Sequence, residues 1–144
     1  MINEKSTKEE VLNSVKRYPL QFNFASDELK NDRDFVLEAV KQNGRVLGSA
    51  SWQCKCDREI VLAAVKEDGY ALLFATDDLR NDREIVLAAV KQNGRALKYA
   101  SDELQDDREI VLEAVKQDGY ALRFSSDELQ LEIAKYWVKG MEEK

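Results

Sequence analysis

Asp82-Arg83-Glu84-Ile85-Val86-Leu87-Ala88-Ala89-Val90-Lys91-Gln92-Asn93-Gly94 decides the fold, because close variants of it recur every 25 residues along the chain. Asp32-Arg33, Asp57-Arg58 and Asp107-Arg108 open three further copies, and Thr7-Lys8 opens a degenerate one. Val36, Val61, Val86 and Val111 fall in one column, and Leu37, Leu62, Leu87 and Leu112 in the next. A unit this short cannot close a hydrophobic core alone and must stack on its neighbours. The expected fold is all-α: an α-solenoid of tandem two-helix repeats with a C-terminal capping helix. The units are 7–31, 32–56, 57–81, 82–106 and 107–131, the cap is 127–144, and all belong to a single repeat domain spanning 1–144.

Within the unit, Asn81 with Glu84 reads as a capping box, as do Ser6 with Glu9, Asn31 with Asp34, and Asp106 with Glu109. Ile85, Val86, Leu87, Ala89 and Val90 form an apolar band too wide for a helix with only one covered side. Lys91 suits the negative end of the helix dipole. Gly94, like Gly44, Gly69 and Gly119, is expected to end the helix in a left-handed conformation. A shorter helical turn follows (Ala96, Leu97, Tyr99, Ala100), then a Ser-Asp-Glu-Leu connector. Leu47, Leu72, Leu97 and Leu122 fill one core column; Phe24, Phe74, Tyr99 and Phe124 fill the next as an inter-repeat packing ladder. Pro19 replaces the Gly of the first unit and fits a helix start. Leu129, Leu131, Ala134, Trp137, Val138 and Met141 have the spacing of a terminal helix covering the last repeat, with a dimer contact through Trp137 and Met141 as the alternative.

Composition narrows the function classes. The 144-residue chain is ordered in composition, with 44% hydrophobic residues and a single Pro. It has no apolar run of membrane-spanning length and no signal peptide at Met1-Ile2-Asn3-Glu4-Lys5, so a cytoplasmic location is expected. The net charge of −6 argues against nucleic acid or an anionic membrane as partner. With no His, the commonest general base and zinc ligand are missing. No P-loop, dinucleotide fingerprint or nucleophile elbow is present. The carboxylates recur with the fold, as capping residues do, whereas an active site is a local exception. The expectation is therefore no enzyme, no cofactor and no metal site. Arg33, Arg58, Arg83 and Arg108 oppose the helix dipole, and an ion-pair ladder to neighbouring acids is the expected offset.

The informative positions are those where the copies disagree. Trp52 stands where Asp27, Asp77, Asp102 and Asp127 stand in other units. In the same unit Ser49 replaces the aromatic, Cys54 the Leu and Cys56 the Asn. Tyr70 and Tyr120 alternate with Arg45 and Arg95, and Leu73 occupies a column held elsewhere by Lys98 and Arg123. Trp52, Tyr70, Leu73 and Tyr120 are the candidate partner-binding residues, since Trp and Tyr commonly anchor interfaces. For Trp52 the competing expectation, and the favoured one, is that it folds inward to refill the space left by Ser49 and Cys54. Tyr70 and Leu73 are expected at the surface. Cys54 is expected to be a buried small hydrophobe, and Cys54-Lys55-Cys56 alone cannot complete a zinc site.

The Asp-Arg-Glu-Ile-Val-Leu-Ala-Ala-Val-Lys-Gln-Asn-Gly run, followed by Ala96-Leu97, Tyr99-Ala100-Ser101 and Glu103-Leu104, resembles a short helical tandem-repeat family of unknown function. That family occurs in tandem arrays in bacterial and protist proteins, and the resemblance covers about residues 7–131. It implies helical repeats with interaction roles and carries no catalytic motif that could be transferred to positions here. Such repeats also occur in larger proteins and secreted effectors. The functional expectation is a non-catalytic protein–protein interaction scaffold. The alternative is a structural element that self-associates through its repeat ends.

Overall fold

The protein is described by a computed structural model over residues 1–142, with side chains through Gly140. Its helices are α1 (Lys8–Val15), α2 (Asp27–Lys30), α3 (Arg33–Gln42), α4 (Trp52–Lys55), α5 (Arg58–Glu67), α6 (Asp77–Arg80), α7 (Arg83–Gln92), α8 (Asp102–Gln105), α9 (Arg108–Gln117) and α10 (Asp127–Glu142). Between them lie five 3-10 segments, Pro19–Phe24, Gly44–Ser49, Gly69–Phe74, Gly94–Tyr99 and Gly119–Phe124. A full unit is thus a long helix, a 3-10 segment and a one-turn helix. The connector of the two-helix reading is itself helical, because the hydroxyls of Ser26 and Ser101 accept the N–H groups of Leu29 and Leu104 and start the turn.

The units stack into an all-α solenoid, with α3, α5, α7 and α9 side by side and the 3-10 segments forming a second row. At the one-turn helices the backbone continues the stack: the N–H groups of Ser51, Thr76 and Ser101 donate to the carbonyls of Lys30, Lys55 and Arg80 one unit earlier. Val36, Val61, Val86 and Val111 are fully buried in the shared core, as are Leu47, Leu72 and Leu97. The aromatic column is the rim of that core and not its interior: Phe74, Tyr99 and Phe124 are half-buried and Phe24 is exposed.

The long helices begin one residue later than the capping-box reading placed them. Asp82 is the N-cap of α7 and accepts from the N–H groups of Glu84 (3.1 Å) and Ile85 (3.2 Å). Asp57 caps α5 in the same way, Asp32 and Asp107 cap α3 and α9 by accepting the single N–H groups of Phe35 and Ile110, and the true capping box joins Thr7 to Glu10. Asn31 and Asn81 instead end the preceding one-turn helices.

Among the described residues none has a positive φ, so the glycines do not end helices by left-handed geometry. The helix ends at an extended residue, such as Asn93 at φ −151° and ψ 111°, whose side chain then caps the 3-10 segment by accepting from the N–H of Arg95. Glycine is needed for close approach. A Cβ on Gly69 would lie 2.5 Å from the Ala89 carbonyl oxygen of the next long helix, and one on Gly44 or Gly94 would strike Ala64 or Ala114 likewise. Gly119 has no following unit and meets nothing.

The expected arginine ladder is present. Arg58 donates to Asp82 (2.8 Å) and Glu84 (2.5 Å) one unit on; Arg33 reaches Asp57 and Glu59, Arg83 reaches Asp107 and Glu109, and Arg108 reaches Glu132 of α10. Asp82 therefore serves the cap and the ladder at once, and the Arg58 hydrogen bond, ahead of the opposing effect of burial, holds its pKa below the ordinary 3.8. A depressed carboxylate stabilises the fold above its unfolded pKa and loses that contribution as pH falls through the folded value. Thermal midpoints should accordingly stay level from about pH 6 to 5 and fall below about pH 4. Asp82→Asn, which keeps the cap, should lose about 0–1 kcal/mol at neutral pH and show a shallower acid drop. Asp82→Ala should lose about 1–2 kcal/mol. Equal losses for the two variants would show that the cap contributes nothing.

At the C-terminal end, Leu129 and Ile133 are the buried residues of α10 among those whose side chains are described. Ile133, one helical turn after Leu129, carries the seating that the sequence reading had given to other residues. Leu131, Ala134, Trp137 and Val138 are exposed, because α10 runs on past the repeat it covers. The side chain of Met141 lies outside the described residues.

Candidate functional site

The 3-10 row is the face on which the units differ most. Each segment turns its third and fourth residues inward and its second and fifth outward: Ala96 and Leu97 are buried, whereas Arg95 and Lys98 are exposed. The outward columns read Leu20, Arg45, Tyr70, Arg95, Tyr120 and Asn23, Gly48, Leu73, Lys98, Arg123 along the stack.

In the second unit both bulky columns are empty. Ser49 stands where the other units have a ring, and Gly48 sits under the Phe74 ring, which an added Cβ would meet at 2.8 Å. The result is a cleft of about 690 Å³. Tyr18, Pro19 and Leu20 wall it on one side and Tyr70, Leu73 and Phe74 on the other, with Arg17 and Arg45 at its edge. Trp52 does not refill this space. It lies on α4 with 67% of its surface exposed and lines no part of the cleft. The inward reading failed because Trp52 keeps the outward position that the exposed Asp27, Asp77, Asp102 and Asp127 hold at the start of their helices, away from the residues that line the cleft. Cys54 is buried as expected, with its thiol near the Lys30 carbonyl, and Cys56 is exposed. Trp52→Ala should therefore shift the thermal midpoint by less than about 2 °C, as for a surface substitution; a large fall would return Trp52 to the core.

Further along the row, a second concavity of about 400 Å³ lies among Tyr70, Tyr99, Tyr120, Arg95, Lys98 and Arg123. Tyr120 is held between two guanidiniums, Arg95 at 4.5 Å and Arg123 at 4.1 Å from its ring centre, and Arg123 also donates to its hydroxyl. Tyr70 meets Tyr99 edge-on at 6.1 Å. The structure thus brings Tyr70 and Leu73 together in the first cleft and Tyr70 and Tyr120 in the second, while Trp52 stands apart. Leu73 is 45% exposed and Tyr120 46%; Tyr70 is half-buried between the clefts.

Two positions escaped the sequence reading. Arg45 donates to Asp68 (2.8 Å) and Arg95 to Asp118 (2.6 Å), each one unit on. These bonds raise the pKa of both arginines and lower that of Asp118. The signal was in the sequence: the column before the glycine alternates Asn43, Asp68, Asn93, Asp118, in antiphase with Arg45, Tyr70, Arg95, Tyr120. Tyr18 and Arg17, at the rim of the first cleft, belong to the degenerate first unit, where they depart from the residues of the later copies and gave no periodic signal.

Charge is sorted between the sides of the solenoid. None of the five 3-10 segments contains an Asp or Glu, and neither cleft on their face is lined by one. The one-turn helices α2, α6 and α8, and α10 after them, each begin with two acids; only α4 begins Trp52-Gln53. The shallow grooves between long helices are lined by both signs, with Glu59 and Glu67 beside Lys41 and Lys66. Among the described residues no group of three potential metal ligands comes together, and no helix is long and apolar enough to cross a membrane.

No curated protein and no solved structure matches the chain. A family model does match, over residues 7–55, 57–105 and 88–130, which takes in most of the solenoid just described. The chain belongs to the family described as Domain of unknown function (DUF4116).

Proposed function

We propose that the protein is a non-catalytic scaffold that binds a partner protein on the 3-10 face, in a cytoplasmic setting. The observation that carries this reading is the cleft opened by Gly48 and Ser49, an apolar concavity of about 690 Å³ in the 3-10 row. Binding sites are typically concave, mostly apolar and framed by a few polar groups, with volumes of ~300–1,000 Å³. Among the carboxylates, Asp57, Asp82 and Asp107 have structural occupations, capping helices and holding the arginine ladder.

Affinity capture with the wild type, Leu73→Glu and Trp52→Ala tests the reading. A partner held by wild type and Trp52→Ala but lost with folded Leu73→Glu is the expected result. Retention by Leu73→Glu, or loss with Trp52→Ala alone, would move the site off this face.

Self-association is the second reading, and the exposed Leu131, Tyr136, Trp137 and Val138 of α10 favour it. Mass by light scattering that rises with concentration, and is abolished by Trp137→Ser/Val138→Ser, would support it. A strict monomer at high concentration would remove it.

A further inference from the structure

Resting on the scaffold reading, we infer that the segment taken by this face is acidic, with one aromatic or bulky aliphatic side chain as its anchor in the Gly48/Ser49 cleft. Three observations carry the inference. The chain as a whole is acidic, at −6, yet the two clefts of the 3-10 row are lined by Arg17, Arg45, Arg95, Lys98 and Arg123 and by no carboxylate. Arg45 and Arg95 are answered by Asp68 and Asp118, but Arg17, Lys98 and Arg123 have no acidic partner among the described residues, which leaves net positive charge facing outward. Tyr70 lines both clefts, so the apolar cleft and the cationic one adjoin along the stack. A segment lying along the row would place its anchor between Tyr18 and Leu73 and its carboxylates towards Arg17 on one side and Lys98 and Arg123 on the other.

Nucleic acid is the competing polyanion. It is disfavoured because only three cations are unanswered and the neighbouring one-turn helices present paired acids, which would repel a continuous phosphate backbone. An acidic peptide carries separated charges and an apolar side chain, and both parts of the face are then used.

The test is fluorescence anisotropy with the full chain and three fluorescein-labelled peptides of about nine residues. One has phenylalanine flanked by glutamates, one phenylalanine flanked by lysines, and one serine flanked by glutamates. The glutamate-phenylalanine peptide should bind, and binding should weaken as salt rises. Ser49→Phe restores the ring of the other units and should weaken binding by at least ~10-fold, the loss of an interface anchor. Arg17→Glu, at an exposed site with no internal ion pair, should weaken it several-fold and flatten the salt dependence even if Ser49→Phe fails to fold. Equal or tighter binding of the lysine peptide, tighter binding of an oligothymidylate, or indifference to both variants would overturn the inference. If the lysine peptide binds and Ser49→Phe abolishes it, the scaffold reading stands and the acidic specificity alone is lost. If no peptide binds and capture also yields no partner, both readings go.

Discussion

Gly69→Ala should lower the thermal midpoint by roughly 5–10 °C, corresponding to about 2–3 kcal/mol of overpacking in a chain of this size. The added Cβ would fall 2.5 Å from the Ala89 carbonyl oxygen, 3.0 Å from Gln92 Oε1 and 3.2 Å from Asn93 Cβ. The carbonyl has nowhere to go, since it accepts the Asn93 N–H that closes α7. The Gly69 N–H is also committed, to Gln92 Oε1 at 2.5 Å. Separating the two backbones would part the units themselves. Gly119→Ala is the internal control: nothing lies within 4 Å of its Cβ, so its effect should stay within about 0.5 kcal/mol of zero. Circular dichroism melts of the two variants decide the matter. Equal effects would mean that these glycines serve the turn and not the inter-unit contact.

The second large effect is expected inside one 3-10 row. Leu97→Ala should cost about 3 kcal/mol, because Leu97 is fully buried between units and a truncation there leaves a cavity. Leu73→Ala, in the neighbouring segment and equally apolar, should cost less than about 0.5 kcal/mol. Urea denaturation of both measures the contrast. A Leu97→Ala loss below 1 kcal/mol would mean that the 3-10 row is laid loosely on the long helices, and a large Leu73→Ala loss that the cleft is part of the core.

How much of this was legible in the sequence follows from which physics sets each feature. The stack, the valine and leucine columns and the Arg58–Asp82 type of ladder depend on repetition, and repetition is visible without coordinates. The caps were misplaced by one residue because Asn81 and Asp82 are both good capping types, and only the end of α6 decides which one is available. Gly69 looked like a helix stop because a glycine after a lysine-bearing last turn usually is one; its true neighbour, Ala89, comes from another unit. Trp52 was drawn inward by a volume argument that counted side chains lost and gained without knowing that the first position of α4 faces outward. Of the candidate partner residues, Tyr70, Leu73 and Tyr120 do lie on one face. The cleft itself arises from two absences, Gly48 and Ser49, and an absence has no periodicity to detect.

The second set of ion pairs implies a parity rule for the array. Arg45 needs Asp68, and Arg95 needs Asp118; the intervening Tyr70 unit supplies Asp68 to the unit before it, and with Tyr70 in the arginine column it donates no such bond to the unit after it. Excision of residues 57–81 alone would set Arg45 against Asn93 and strand it, whereas excision of 57–106 would bring Arg45 up to Asp118 and restore the match. The quantum by which this solenoid can be lengthened or shortened without a fault is therefore two turns of the spiral, like a zip whose teeth come in pairs.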